Sequence, residues 1–151
     1  MIIYTGIILF IIFATRILAY WGIYALKNSE IVLIKDVFHL TYVENTGAAF
    51  GIFSNSTLAL SIMGIIVFLI ITYIVASRKD MTLYTKILLA FLAGGGISNV
   101  CDRFKFGFVV DYFNFCLIDY PDFNLADIFV VVSCVLIAVK IAFSKEIGKE
   151  K

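Results

Sequence analysis

The sequence predicts a membrane all-α protein, four transmembrane helices with a small extracytoplasmic β-strand cradle. Three observations predict it. The composition is 62% hydrophobic and only 15% charged, with a mean hydropathy of +1.03. A water-soluble chain of 151 residues has no interior large enough to hide that much apolar side chain, so its solvent is lipid. Four apolar runs approach the length that a hydrocarbon core of roughly 30 Å demands of a helix, about 20 residues. The segments after the first and third runs are different in character, β-branched and aromatic with turn residues between them.

The first run, Ile2–Leu26, carries a single charge at Arg16. It is too long for the apolar region of a signal peptide and has neither a basic leader nor an A-x-A site, so it reads as a permanent span. The segment 27–56 follows. Within it Ile31–Ile34 and Val37–Val43 have strand character, and Asn45-Thr46-Gly47 is a turn signal. The second span, 58–77, has no charge. The third, 81–101, requires Lys86 to snorkel toward one end. A second outer segment, 102–124, holds the extended stretch Phe106–Phe115 and the turn Tyr120-Pro121-Asp122. The last span, 125–144, begins before Ile128 and lets Lys140 snorkel. All of this makes one integral-membrane domain, 1–151.

Lysine and arginine set the orientation. Arg78, Lys79 and Lys86 lie on the same side as Lys140, Lys145, Lys149 and Lys151. The other side has Lys27, Lys35, Arg103 and Lys105. The more basic side is cytoplasmic, which puts both termini inside. Most of the acidic residues then gather at the outer face: Glu30, Asp36, Glu44, Asp102, Asp111, Asp119, Asp122 and Asp127. That concentration points to chemistry or binding at the outer interface.

Some classes are excluded. A net charge of +1 argues against a nucleic-acid partner. Cys101, Cys116 and Cys134 show no C-x-x-C spacing, and His39 is the one histidine, so neither a metal site nor a disulfide framework is expected. No cofactor motif is present.

Two carboxylates are candidates for catalysis. Asp111 sits among apolar residues in Gly107-Phe108-Val109-Val110-Asp111-Tyr112-Phe113, where desolvation raises a carboxylate's pKa. The alternative is an interfacial Asp paired with Arg103 or Lys105. Asp127 follows Phe123-Asn124-Leu125-Ala126. Here the alternative is helix capping, with Asn124 as N-cap and Asp127 in the first turn. Taken together, two carboxylates at the outer rim of neighbouring spans can share a proton, one as base and one as acid, and so direct water at an amide without a metal.

Asn99 and Arg103 are spaced i, i+4 and share a helix face that can hold a peptide carbonyl, or serve as polar glue or to neutralise Asp102. Gly94-Gly95-Gly96 before them reads as tight helix packing. The small residues of Asn45-Thr46-Gly47-Ala48-Ala49-Phe50-Gly51 permit close backbone approach or form a simple turn. His39 reads as structural.

In order along the chain, these stretches resemble the lipoprotein signal peptidase (signal peptidase II) family. The most specific match is Gly95-Gly96-Ile97-Ser98-Asn99-Val100-Cys101-Asp102-Arg103, followed by the Val-Val-Asp stretch ending at Asp111 and the Asn-x-Ala-Asp stretch from Asn124 to Asp127. Leu40-Thr41-Tyr42-Val43-Glu44-Asn45-Thr46-Gly47-Ala48-Ala49-Phe50 is similar to the family's first outer motif. The resemblance implies an aspartyl endopeptidase in the bacterial cytoplasmic membrane, its active site at the outer face. It would cut diacylglyceryl-modified prolipoproteins just before the lipidated cysteine. It implies Asp111 and Asp127 as the catalytic dyad and Asn45, Gly47, Asn99, Arg103 and Asn124 as supporting residues. It also implies a strand cradle with a half-helix nearby, membrane lipid and the prolipoprotein as partners, inhibition by compounds of the globomycin type, and a monomer.

The sequence departs from the family at a few positions. Many members carry Asp-Gln-x-x-Lys in the first span, where this chain has Thr15, Arg16 and Ala19. Ser98 stands where Gly is usual. Two other classes remain open on the sequence alone. A small four-helix transporter would want charges near mid-membrane, where this chain has Arg16 alone. A non-catalytic relative would bind lipoproteins without cutting them.

Overall fold

The computed structural model describes residues 1–48, 53–118 and 120–147. Ala49, Phe50, Gly51, Asp119, Lys149 and Lys151, named above, lie outside the described residues. The elements run α1 (Ile2–Leu26), β1 (Ile31–Ile34), β2 (Phe38–Asn45), α2 (Thr57–Ser77), α3 (Leu83–Phe106), β3 (Val109–Phe115) and α4 (Leu125–Ile147). All four helices are long and apolar enough to cross a membrane.

The helices are sorted by polarity. α2 has the highest mean hydropathy over its best window, 2.8, and α3 the lowest, 1.3. α3 accordingly takes the centre, packed against α1, α2 and α4, where its polar residues meet protein and not lipid. α1 buries Tyr4, Ile8, Ile11, Thr15, Ala19, Gly22 and Leu26, a single face at steps of three and four. Its other faces leave Leu9, Phe10 and Phe13 exposed, as lipid solvation permits.

Small residues let the helices close on one another. A Cβ on Gly95 would lie 2.5 Å from the Ala126 carbonyl oxygen, and one on Gly94 would lie 2.9 Å from Ile11 Cδ1. The glycine run is thus split between two neighbours, Gly94 facing α1 and Gly95 facing α4. Gly96 has no such neighbour.

α3 continues past Cys101, where hydropathy alone ended the third span. Asp102, Arg103 and Lys105 belong to its last turns and not to an outer segment. The helix stops at Gly107, whose φ of 85° is left-handed and whose N–H donates to the Arg103 carbonyl, a glycine C-cap. Phe106 is therefore helical, and the strand begins at Val109.

β1, β2 and β3 form an antiparallel sheet in that order. β2 runs through Asn45, which pairs with Val109, while Val43 pairs with Asp111. Asn45 thus ends a strand, and its side chain, accepting from the Gly47 N–H, opens the turn that follows. The pairing is irregular between Leu40 and Val43. The sheet packs onto α1 and α3 through Val110 and Tyr112, which bury with Ala19 and Leu26. Phe113 bridges to Phe123, bringing the segment before α4 alongside β3. No helix other than these four is found among the described residues, so the implied half-helix is not seen there.

Candidate active site

Strand alternation decides which side chains of β3 do what. Val110 and Tyr112 turn toward α1. Asp111, between them, turns the opposite way and is 1% exposed. A buried carboxylate needs donors for both oxygens. Asn45 Nδ2 donates to its Oδ2 at 2.8 Å and Asn124 Nδ2 donates to its Oδ1 at 2.6 Å. Its oxygens are thus held by two neutral amides and not by Arg103 or Lys105. Burial, and then the negative charge of Asp127, push its pKa up to about 7, against the pull of the two amides.

Asp127 stands in the first turn of α4. Asn99 Nδ2 donates to its Oδ1 at 2.7 Å, and the Asn124 backbone N–H donates to its Oδ2 at 3.0 Å. Asn124 Oδ1 in return accepts from the N–H groups of Ala126 and Asp127. This is a capping box with aspartate in the glutamate position. Capping and a carboxylate pair are therefore not alternatives here. Asn124 caps α4 with its oxygen while its amide nitrogen holds Asp111.

Arg103 Nη2 donates to the Gly47 carbonyl at 2.7 Å, and its charge is felt at both carboxylates. Gly47 N–H in turn donates to Asn45 Oδ1 at 2.9 Å. Asn45 is thus fixed at both ends of its amide. Thr57 Oγ1 also reaches the carbonyls of Thr46 and Gly107, joining the turn after β2 to the end of α3.

Asn45, Gly47, Asn99, Arg103 and Asp127 line a cavity of about 480 Å³ between α2, α3 and α4; Asp111 does not line it. Its far wall is apolar and includes Leu60, Met63, Val67 and Val131. Met63, Val67 and Val131 are also exposed at the outer surface of the bundle, so the cavity opens sideways. Its floor is polar at one end and its walls suit an apolar chain. Among the described residues, no group of three or more His, Cys, Asp and Glu could hold a metal ion.

Two residues to which the sequence reading assigns no role in the site support this arrangement. Tyr112 OH accepts from the Leu125 N–H at 3.0 Å, tying β3 to the start of α4. Burial pushes its pKa up to about 12, so the hydroxyl stays neutral. Asp122 Oδ1 accepts from Thr41 and from Asn114, fastening the segment before α4 to the sheet. These three contacts cross between elements, and nothing local in the sequence signals them. Arg16 is not alone, as its position in an apolar run suggested. It forms an ion pair with Asp102, which also removes Asp102 as a partner for Arg103. His39 pairs with Glu30 at 3.8 Å, on the strand but outside this network.

The model of the family described as signal peptidase (SPase) II matches residues 2–143. The chain belongs to the signal peptidase II family. Curated relatives agree. A lipoprotein signal peptidase of Clostridium tetani is 37% identical over 153 residues, covering 99% of this chain and 94% of the relative. One of Clostridium acetobutylicum is 40% identical over 140 residues, covering 89% and 90%. Among solved structures, a bacterial membrane enzyme at 27% identity superposes with a TM-score of 0.85, covering 98% of this chain and 91% of that one. The signal peptidase II fold here is thus a multi-pass membrane protease, four helices and a small sheet.

Proposed function

We propose that this family member is an aspartic endopeptidase that removes the signal peptide of diacylglyceryl-modified prolipoproteins, cutting before the lipidated cysteine. Asp111 and Asp127 are its catalytic pair. One observation carries the reading: a single residue, Asn124, hydrogen-bonds to both carboxylates, one through its side chain and one through its backbone. Asp127 stands at the polar end of a cavity whose walls suit a lipid-anchored helix, and Asp111 is buried behind it, joined to it through Asn124.

Asp127 lines the cavity and is the base. It takes a proton from water as the water oxygen bonds to the scissile carbonyl carbon. Asp111, buried and with its pKa near neutrality, is the acid and gives its proton to the carbonyl oxygen. As the tetrahedral diol collapses, the C–N bond breaks and the proton on Asp127 passes to the leaving amine. A hydroxyl proton of the diol returns to Asp111. Arg103 and Asn99 flank the cavity and orient the peptide.

The basic link Arg78–Lys79 and the C-terminal lysines support an orientation with both termini inside and the site at the outer face of the bacterial cytoplasmic membrane. Both carboxylates and all their amide partners come from one chain, so a monomer suffices. Inhibitors of the globomycin type would occupy the same cavity.

The test is cleavage of a purified diacylglyceryl prolipoprotein in detergent, read as a gel shift. Wild type should cut, whereas Asp111→Asn and Asp127→Asn should insert and fold but leave the substrate intact. Retained cleavage by either variant would remove the dyad.

A further inference from the structure

Three of the positions at which this chain leaves the family's usual pattern, Thr15, Arg16 and Ser98, meet in one place. Thr15 and Arg16 on α1 face Ser98 and Asp102 on α3. Thr15 Oγ1 lies 2.5 Å from Ser98 Oγ and also reaches back to the Ile11 carbonyl. Arg16 Nη1 forms an ion pair with Asp102, while Nη2 reaches the Ser98 carbonyl and hydroxyl at 3.3 Å. Ser98 is 0% and Asp102 2% exposed. This cluster lies outside the catalytic cavity, and the proposed mechanism does not use it.

Its placement on α3 gives it a task. Ser98 and Asp102 are i, i+4 and form one stripe of the helix. Asn99 and Arg103 are also i, i+4 and form the adjacent stripe, one residue or about 100° around. The first stripe is bolted to α1. The second donates to Asp127 and to the Gly47 carbonyl. A rotation of α3 about its axis, or a slide along it, would therefore break the bolt and the site contacts together. An ion pair between two helices inside a membrane resists both motions. The arginine fork fixes direction as well as distance, and unpairing either charge there is costly.

We infer that Arg16 is a positioning residue for catalysis: through Asp102 it sets the rotation of α3, and so the aim of Asn99 at Asp127. This rests on the proposed function, and it places part of the catalytic geometry under the control of a first-helix residue that never touches substrate.

The experiment compares wild type, Arg16→Gln, Asp102→Asn, the double variant and Arg16→Lys, all purified in detergent. Each is first checked for a cooperative melt and then assayed for kcat and KM on diacylglyceryl prolipoprotein. A misaimed donor acts on the chemical step, so folded Arg16→Gln and Asp102→Asn should each lose about tenfold or more in kcat with KM little changed. The double variant, with no unpaired charge, should lose no more than the worse single one. Arg16→Lys keeps the charge without the fork and should fall between wild type and Arg16→Gln. If Arg16→Gln fails to fold, Arg16→Lys decides, with a lower kcat at wild-type KM expected. The inference is overturned if Arg16→Gln (or, where that variant does not fold, Arg16→Lys) melts lower but turns over at the wild-type kcat, or if the two single losses multiply. Wild type runs in the same gel. If it cuts and Arg16→Gln cuts equally fast, only the inference fails. If wild type does not cut, the proposed function fails and takes the inference with it.

Discussion

The side-chain nitrogen of Asn124 lies 2.6 Å from Asp111 Oδ1, and the same side chain's oxygen caps α4. One amide thus serves a helix terminus and a buried acid, and its orientation is locked because turning it over would break both. This relationship separates two losses that a single deletion would mix.

Asn124→Ala removes the cap, at about 1 kcal/mol, and also a donor to Asp111, for which a loss in kcat of about a hundredfold is expected. Asn124→Asp keeps a good cap, so its melting temperature should stay closer to wild type. It also brings a third carboxylate against Asp111 and should be as inactive as the alanine variant near neutral pH. Melting and turnover measured on the same preparations check both. Activity in Asn124→Asp near the wild-type level would show that the donor to Asp111 is dispensable.

Stability should fall as pH rises through the weakly acidic range. The Asp111 carboxyl loses its proton near pH 4 when unfolded, but holds it up to about 7 in the fold. Across that window the native state binds more protons, so the contribution from this group is lost as pH climbs toward 7. Thermal melts in detergent from pH 4 to 8 should show this slope, and Asp111→Asn should flatten it. An equal slope in the variant would assign the effect to other groups.

In the proposed mechanism the same proton is needed for turnover. With Asp111 as the acid, kcat/KM should decline above about pH 7, following the raised carboxyl. A profile flat to pH 9 would mean that Asp111 is not the proton donor.

Neighbouring glycines should answer differently to the same substitution. Gly95→Ala drives a Cβ into the Ala126 carbonyl, one residue before Asp127, and should cost about 1–3 kcal/mol together with most of the activity. Gly96→Ala meets nothing within 4 Å and should melt within about 0.5 kcal/mol of wild type. Equal destabilisation by both would contradict the close approach of α3 and α4.

The helices and strands were legible because their signals are local. Apolar runs of membrane length mark α1 to α4, and the β-branched character of Ile31–Ile34 and Val37–Val43 marks the first two strands. The end of α3 was not legible from hydropathy. Asp102 and Arg103 lower the average, but a charged turn can stay helical and buried when its partner sits on another helix, here Arg16. The motifs singled out Asp111, Asp127, Asn45, Asn99 and Asn124, yet that one residue, Asn124, joins the two acids is a tertiary fact. The roles of Tyr112 and Asp122 were not legible for the same reason: their partners, Leu125 N–H, Thr41 and Asn114, are set by how the sheet meets α4.

The sideways mouth of the cavity, at Met63, Val67 and Val131, changes what concentration means for this protein. A substrate anchored in lipid would reach that mouth by searching a surface and not a volume. The quantity that governs encounter would then be the mole fraction of substrate in the micelle or bilayer. Adding empty detergent at fixed amounts of protein and substrate should slow cleavage although nothing in the bulk solution has been diluted. A rate indifferent to added micelles would mean that substrate enters from water.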